Sequence, residues 1–183
     1  MTMRRLWLTP ELAQLIAQHG LEDYPQEACG LIGGVNEQAL SVSRIKNISD
    51  KPDHTFLMDG AEFTKAMFEF SKRGEVLIGI YHTHPHGDHL PSRTDVQEAQ
   101  YPDTAYVVVG LKQRQPRLSA WQIRNGLSEP IDIIISETEP LPALPPMSRA
   151  QVRANIIALV FSFIFLIVLA LSLLPPAPPI PTR

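Results

Sequence analysis

Cysteine is almost missing from this chain. Cys29 is the one thiol in 183 residues, which excludes an internal disulfide framework and fits a reducing compartment. A surplus of either charge is missing too: 16 basic against 19 acidic residues leave a net charge of −3. Without a basic face there is no footprint for nucleic acid, and none is expected as a partner. The opening "MTMRRLWLTP" holds two arginines but no apolar run of signal-peptide length, so no cleavable export signal is expected. No internal repeat is visible.

What is abundant is unevenly placed. Of the 44% hydrophobic content, much lies between Ile156 and Leu174, nineteen residues without a charge and with only Ser162 and Ser172 as polar interruptions. At about 1.5 Å per helical residue, such a run reaches nearly 30 Å, the thickness of a bilayer's hydrocarbon core. Soluble core helices rarely run so long without a polar face. A single transmembrane helix is expected over residues 155–174. Only "PPAPPIPTR" follows it, too short for a domain, so the chemistry must lie before the helix. Arg149 and Arg153 flank the helix start against Arg183 alone beyond its end, which places the N-terminal part in the cytoplasm by the positive-inside tendency. Residues 137–154 hold four prolines between Pro140 and Pro146, a semi-rigid linker rather than core.

Residues 1–136 show globular periodicities. "LTPELAQLIAQHG" reads as a helix with Thr9 as N-cap, Pro10 in its first turn and Gly20 as its stop. "ACGLIGG" reads as a buried strand and "ALSVSRIKNIS" as a half-exposed one. "GAEFTKAMFEFSKRG" carries Phe63, Ala66, Met67 and Phe70 at helical spacing, a core stripe. "EVLIGIYHTH" is apolar nearly throughout, as a central strand would be. "PSRTDVQEAQ" starts a helix at Ser92, and "TAYVVVGL", "RLSAWQIR" and "EPIDIIIS" add three strands. Interleaved elements of this kind predict an α/β sandwich, a mixed sheet flanked by helices.

The stretch "YHTHPHGDHLPSRTD" packs four histidines and two aspartates into fifteen residues. Residues two apart on a strand share a face, so His82 and His84 emerge side by side from the strand's end. A catalytic zinc wants three protein ligands and an open position, and Asp95, just inside the following helix, can be the third. Asp88 is a rival only if the loop folds back sharply. His86 and His89 are expected to face solvent. His54 either rims the groove or is plain surface, and Cys29 serves as a small core residue.

His82-Thr83-His84-Pro85, with seven residues between His84 and Ser92, then Ser92-Arg93-Thr94-Asp95, with Glu27 upstream in "YPQEACGLIGG", resembles the JAMM (MPN+, JAB) metallopeptidase signature. The resemblance spans about Arg5 to Ile135 and fills every motif position; the apolar C-terminal helix is a departure from most small bacterial relatives. It implies an MPN/JAB-like, cytidine-deaminase-like fold. It implies one Zn2+ per chain on His82, His84 and Asp95, Glu27 as general base and then acid, and Ser92 as donor to the oxyanion. It also implies peptide or isopeptide hydrolysis at the C-terminus of a ubiquitin-like or sulfur-carrier protein. A silent MPN-type scaffold would have lost ligands that this chain keeps. RadC-type proteins share the motif but carry a helix-hairpin-helix segment that this chain lacks. A metal-binding protein without hydrolysis would have no use for Glu27.

Overall fold

The computed structural model describes residues 3–138 and 148–172. The chain falls into two units, Met1–Pro140 and Leu141–Arg183. In chain order the first unit runs β1 (Arg5–Leu8), α1 (Pro10–Asp23), β2 (Cys29–Val35), β3 (Gln38–Ile45), α2 (Gly60–Lys72) and β4 (Val76–His84). It continues with α3 (Arg93–Glu98), β5 (Ala105–Gly110), a short 3-10 turn at Lys112–Arg114, β6 (Arg117–Arg124) and β7 (Leu127–Ile135).

The expected mixed sheet is present, with β4 central: antiparallel to β2 and parallel to β5. The sheet does not stay open, however. It closes in the order β1-β3-β2-β4-β5-β6-β7 because β1, which has no counterpart among the expected strands, lies parallel to β7 and touches β3 at Trp7 and Gln38. Four residues with Leu6, Trp7 and Leu8 all buried show no alternation to read. Closure satisfies backbone groups that an edge strand would leave bare.

Two apolar clusters sit on the two faces of the sheet. One gathers Leu6, Leu8, Ile16, Ile32, Tyr81, Val107 and Val109 under α1, and the other gathers Leu31, Ile45, Phe70, Ile80 and Ile123 under α2. Each fully buried side chain of this size contributes about 1.5–3 kcal/mol. The stripe on α2 behaves as expected: Ala66 and Phe70 are buried, and Phe63 and Met67 pack against them. Thr9 caps α1 by accepting the Leu12 amide, again as expected.

Gly20 does not stop α1. The helix runs on to Asp23, and Gly20 lies buried within it, where an added Cβ would sit 2.6 Å from the Thr83 methyl. The glycine answers to close helix–sheet packing, not to chain termination.

In the second unit, α4 (Arg149–Ser172) is a single helix whose stretch Ala150–Leu169 has mean hydropathy 2.5. It is long and apolar enough to cross a membrane. Most of the expected proline-rich linker, residues 139–147, and the tail, residues 175–183, lie outside the described residues.

A candidate metal centre at the end of the central strand

β4 ends in His82-Thr83-His84, and the pleat sends the two imidazoles to one face and Thr83 to the other. Asp95 arrives from α3, whose start is fixed by a reciprocal cap. The Asp95 amide donates to Ser92 Oγ at 3.1 Å, and the Ser92 amide donates to Asp95 Oδ2 at 2.6 Å. The carboxylate that caps the helix thereby points at the strand.

Three donor atoms converge. His82 Nε2 and His84 Nε2 lie 3.0 Å apart, and each is 3.3 Å from Asp95 Oδ2. Ligands at zinc distances of about 2.0–2.1 Å in a tetrahedron stand about 3.3 Å from one another. His84 Nδ1 lies 3.0 Å from the Asp88 carbonyl, a bond that turns the neutral ring's Nε2 lone pair toward the cluster. His82 is 1% exposed, with its Nδ1 buried and unpartnered and the Phe56 ring stacked on it at 4.6 Å. Two imidazoles and a carboxylate aimed at one point suit a zinc ion.

The electrostatics follow from burial and from this convergence. Desolvation works against the Asp95 charge, yet hydrogen bonds with His82 and His84 hold the carboxyl far below its usual range. Desolvation lowers His82 despite Asp95. Burial also opposes the His84 charge, but Asp95 and the Asp88 carbonyl raise it on balance. Glu27 is 6% exposed, and burial pushes its carboxyl up to about 7; His84 pulls it back, while Asp95 and Asp53 add to the rise. A carboxyl poised near 7 can take and return a proton at neutral pH.

Glu27 reaches the site through strand register. Cys29 pairs with His82, and the Thr83 amide donates to the Ala28 carbonyl at 2.9 Å, so two further steps along the chain set Glu27 across from His84. Thr83 grips the same residue a second time, its Oγ1 accepting the Ala28 amide, on the peptide that joins it to Glu27, at 2.9 Å.

The remaining polar residues sort clearly. Asp88 offers His84 its carbonyl, while its carboxylate lies 3.7 Å from Lys112. The His86 ring meets Tyr24 at 3.4 Å and lies outside the donor cluster. His89 contributes a carbonyl, which accepts from Ser119 and from Trp121 Nε1. His54 and Phe56 line a cleft shared with His82, Ser92, Thr94 and Asp95. Cys29 is buried and its thiol is pushed up to about 12 by desolvation, an unreactive core residue. Sequence reasoning passed over Phe56 and Thr83, since both act through partners distant in the chain.

The family profile for prokaryotic homologs of the JAB domain matches residues 9–124. The CysO-cysteine peptidase of Mycobacterium tuberculosis is 29% identical over 137 residues, covering 73% of this chain and 94% of the peptidase. The desampylase of Haloferax volcanii is 28% identical over 114 residues, 59% of this chain and 82% of its own. A probable TtuB-protein conjugate cleaving protease of Thermus thermophilus is 32% identical over 105 residues, 57% of this chain and 70% of its own. Among solved structures, a protein of Desulfitobacterium hafniense has a TM-score of 0.65 at 28% identity, covering 73% of this chain and 94% of that one. The matched residues include Glu27, His82, His84, Ser92 and Asp95 and end before α4. The chain belongs to the prokaryotic JAB-domain family.

Proposed function

We propose that the protein is a membrane-anchored zinc metallopeptidase that hydrolyses peptide or isopeptide bonds at the C-terminus of ubiquitin-like or sulfur-carrier proteins. One observation carries the reading: three metal-donor atoms within 3.3 Å of one another beside a buried glutamate whose carboxyl titrates near 7. A donor cluster alone would suit storage or structure. A neighbouring carboxyl outside the cluster, raised by burial toward neutral pH, supplies the proton-transfer group that hydrolysis needs. The relatives point the same way, being named for cleavage of CysO–cysteine, for desampylation and for cleavage of TtuB conjugates.

In this reading His82, His84 and Asp95 hold the ion. A bound zinc supplies Lewis acidity, lowering the pKa of water to about 7. Glu27 takes the proton of the attacking water and later delivers it to the departing amine. Ser92 Oγ already accepts the Asp95 amide and keeps its own hydrogen to donate to the oxyanion, an effect worth about 3–4 kcal/mol when well aimed. Residues 1–136 form the hydrolase, 137–154 link it and 155–174 cross the membrane, with 175–183 as a tail. The hydrolase faces the cytoplasm, where the anchor confines cleavage to the membrane surface.

The test is cleavage of a CysO–cysteine conjugate by the purified full-length chain in detergent, with zinc measured in the same sample. About one zinc per chain and turnover abolished by Glu27→Gln are expected. Turnover that survives Glu27→Gln, or that does not depend on metal, would rule the reading out.

A further inference from the structure

A loop between β3 and α2 forms the wall of the cleft, and one side chain at its neck holds the wall and the base together. Asn47 makes four hydrogen bonds with its carboxamide. Nδ2 donates to the Glu27 carbonyl at 2.9 Å and to the Thr55 carbonyl at 3.1 Å. Oδ1 accepts the Ser49 and Leu57 amides, both at 3.0 Å. Two donors and two acceptor sites are all that a carboxamide turns to such partners here. The opposite orientation would set donors against donors, so the four contacts fix the amide in one way.

The partners give these bonds their meaning. Glu27 is held by its own peptide groups, its amide donating to the Pro52 carbonyl at 2.6 Å and its carbonyl accepting from Asn47. Thr55 and Leu57 flank Phe56, whose ring stacks on His82. His54, one residue earlier, lines the cleft beside Ser92 and Asp95. The loop closes again through the Ile48 amide and the Leu57 carbonyl at 2.7 Å.

From this network we infer that Asn47 is a positioning residue for hydrolysis: it locks the peptide carrying Glu27 to the loop that packs Phe56 against His82 and sets His54 on the cleft. The inference rests on the role proposed for Glu27. Asn47 touches none of the reacting atoms and acts through the placement of the base and of the wall. Small displacements of a proton-transfer group are costly because the transfer needs hydrogen-bond distance.

The experiment compares Asn47→Asp and Asn47→Ala with wild type and Glu27→Gln in the full chain, using a CysO–cysteine conjugate as probe. The aspartate keeps an acceptor for Ser49 and Leu57 but turns an oxygen toward the Glu27 and Thr55 carbonyls. Its kcat is expected to fall about 10- to 100-fold, with KM within about threefold of wild type and zinc unchanged. The alanine removes the donors without adding charge. It should lose kcat to the same degree and also raise KM, because the wall is released. An Asn47→Asp enzyme with wild-type kcat, or one that loses its zinc, would overturn the inference. In parallel, NMR should find the Asn47 side-chain amide protons of the wild type protected from exchange; rapid exchange would overturn it whatever the activity. Equal turnover by wild type and Glu27→Gln would instead refute the role given to Glu27, leaving the exchange measurement to decide on Asn47.

Discussion

Ser92 and Asp95 hold each other in place: the amide of each donates to the side chain of the other, at 2.6 Å into Asp95 and at 3.1 Å into Ser92. One pair of residues thus starts α3 and aims a metal donor at His82 and His84. Ser92→Ala breaks one of the two bonds and leaves the Ser92 amide on Asp95. Zinc should remain, while stability drops by about 1 kcal/mol for the lost cap, seen as a fall of about 2–4 °C in Tm. Turnover should fall about 10²- to 10³-fold if the hydroxyl also serves the oxyanion. A variant with the lowered Tm but unchanged kcat would reduce Ser92 to a cap.

Asp95→Ala should abolish zinc binding, as judged by metal analysis of the purified full-length chain. The buried His82 and half-buried His84 imidazoles remain, but a catalytic zinc needs a third ligand. Stoichiometric zinc in that variant would show that another group, Asp88 first among them, completes the site.

Glu27 has a second signature, in stability. Its carboxyl is raised from 4.5 to about 7 in the folded protein by burial. The folded state therefore binds more protons than the unfolded state across that window. Its contribution is fully present below the unfolded value and is lost as pH rises through 7. Glu27→Gln carries no proton to lose. With metal removed by chelator, the melting temperature of the variant should gain on wild type between pH 5 and pH 8. A constant difference across that range would mean that Glu27 is not raised.

Gly20→Ala tests the packing of α1. Alanine is the better helix former by about 1 kcal/mol, so a solvent-facing site would gain stability. Here the new Cβ would meet the Thr83 methyl at 2.6 Å, and Thr83 cannot yield without releasing the Ala28 amide. A net loss of about 1–3 kcal/mol is expected from thermal melts. Because Thr83 lies between the two histidines, zinc affinity should weaken with it.

The proposed membrane anchor is tested by fractionation. The full chain should stay with membranes through washes at high salt and high pH, and a chain ending at residue 148 should be released. Protease added to sealed inside-out vesicles should reach the hydrolase, and protease added to intact cells should not. The reverse pattern would invert the topology.

Much of the site was legible without coordinates because its signals are local. His82 and His84 are two apart on a strand, and Ser92 and Asp95 are three apart at a helix start. Both relations follow from the geometry of a single element. Glu27 was legible only through resemblance to a family motif, since no local rule links it to residues more than fifty positions away. Gly20 misled for a related reason. A glycine that stops a helix and one that admits a neighbouring side chain look the same in a sequence.

By itself, the sequence determined the metal-donor set's spacing, the capped start of α3, the central place of β4 and an apolar helix of membrane-spanning length. Each depends on short-range periodicity or composition. Only the tertiary structure decided that β1 closes the sheet, that Thr83 and Asn47 grip the peptides around Glu27, and that Phe56 covers His82. These relations join residues brought together by strand pairing and loop closure. A hydrogen bond between distant residues leaves no periodic trace, because its geometry exists only once the core has brought both partners to the same place.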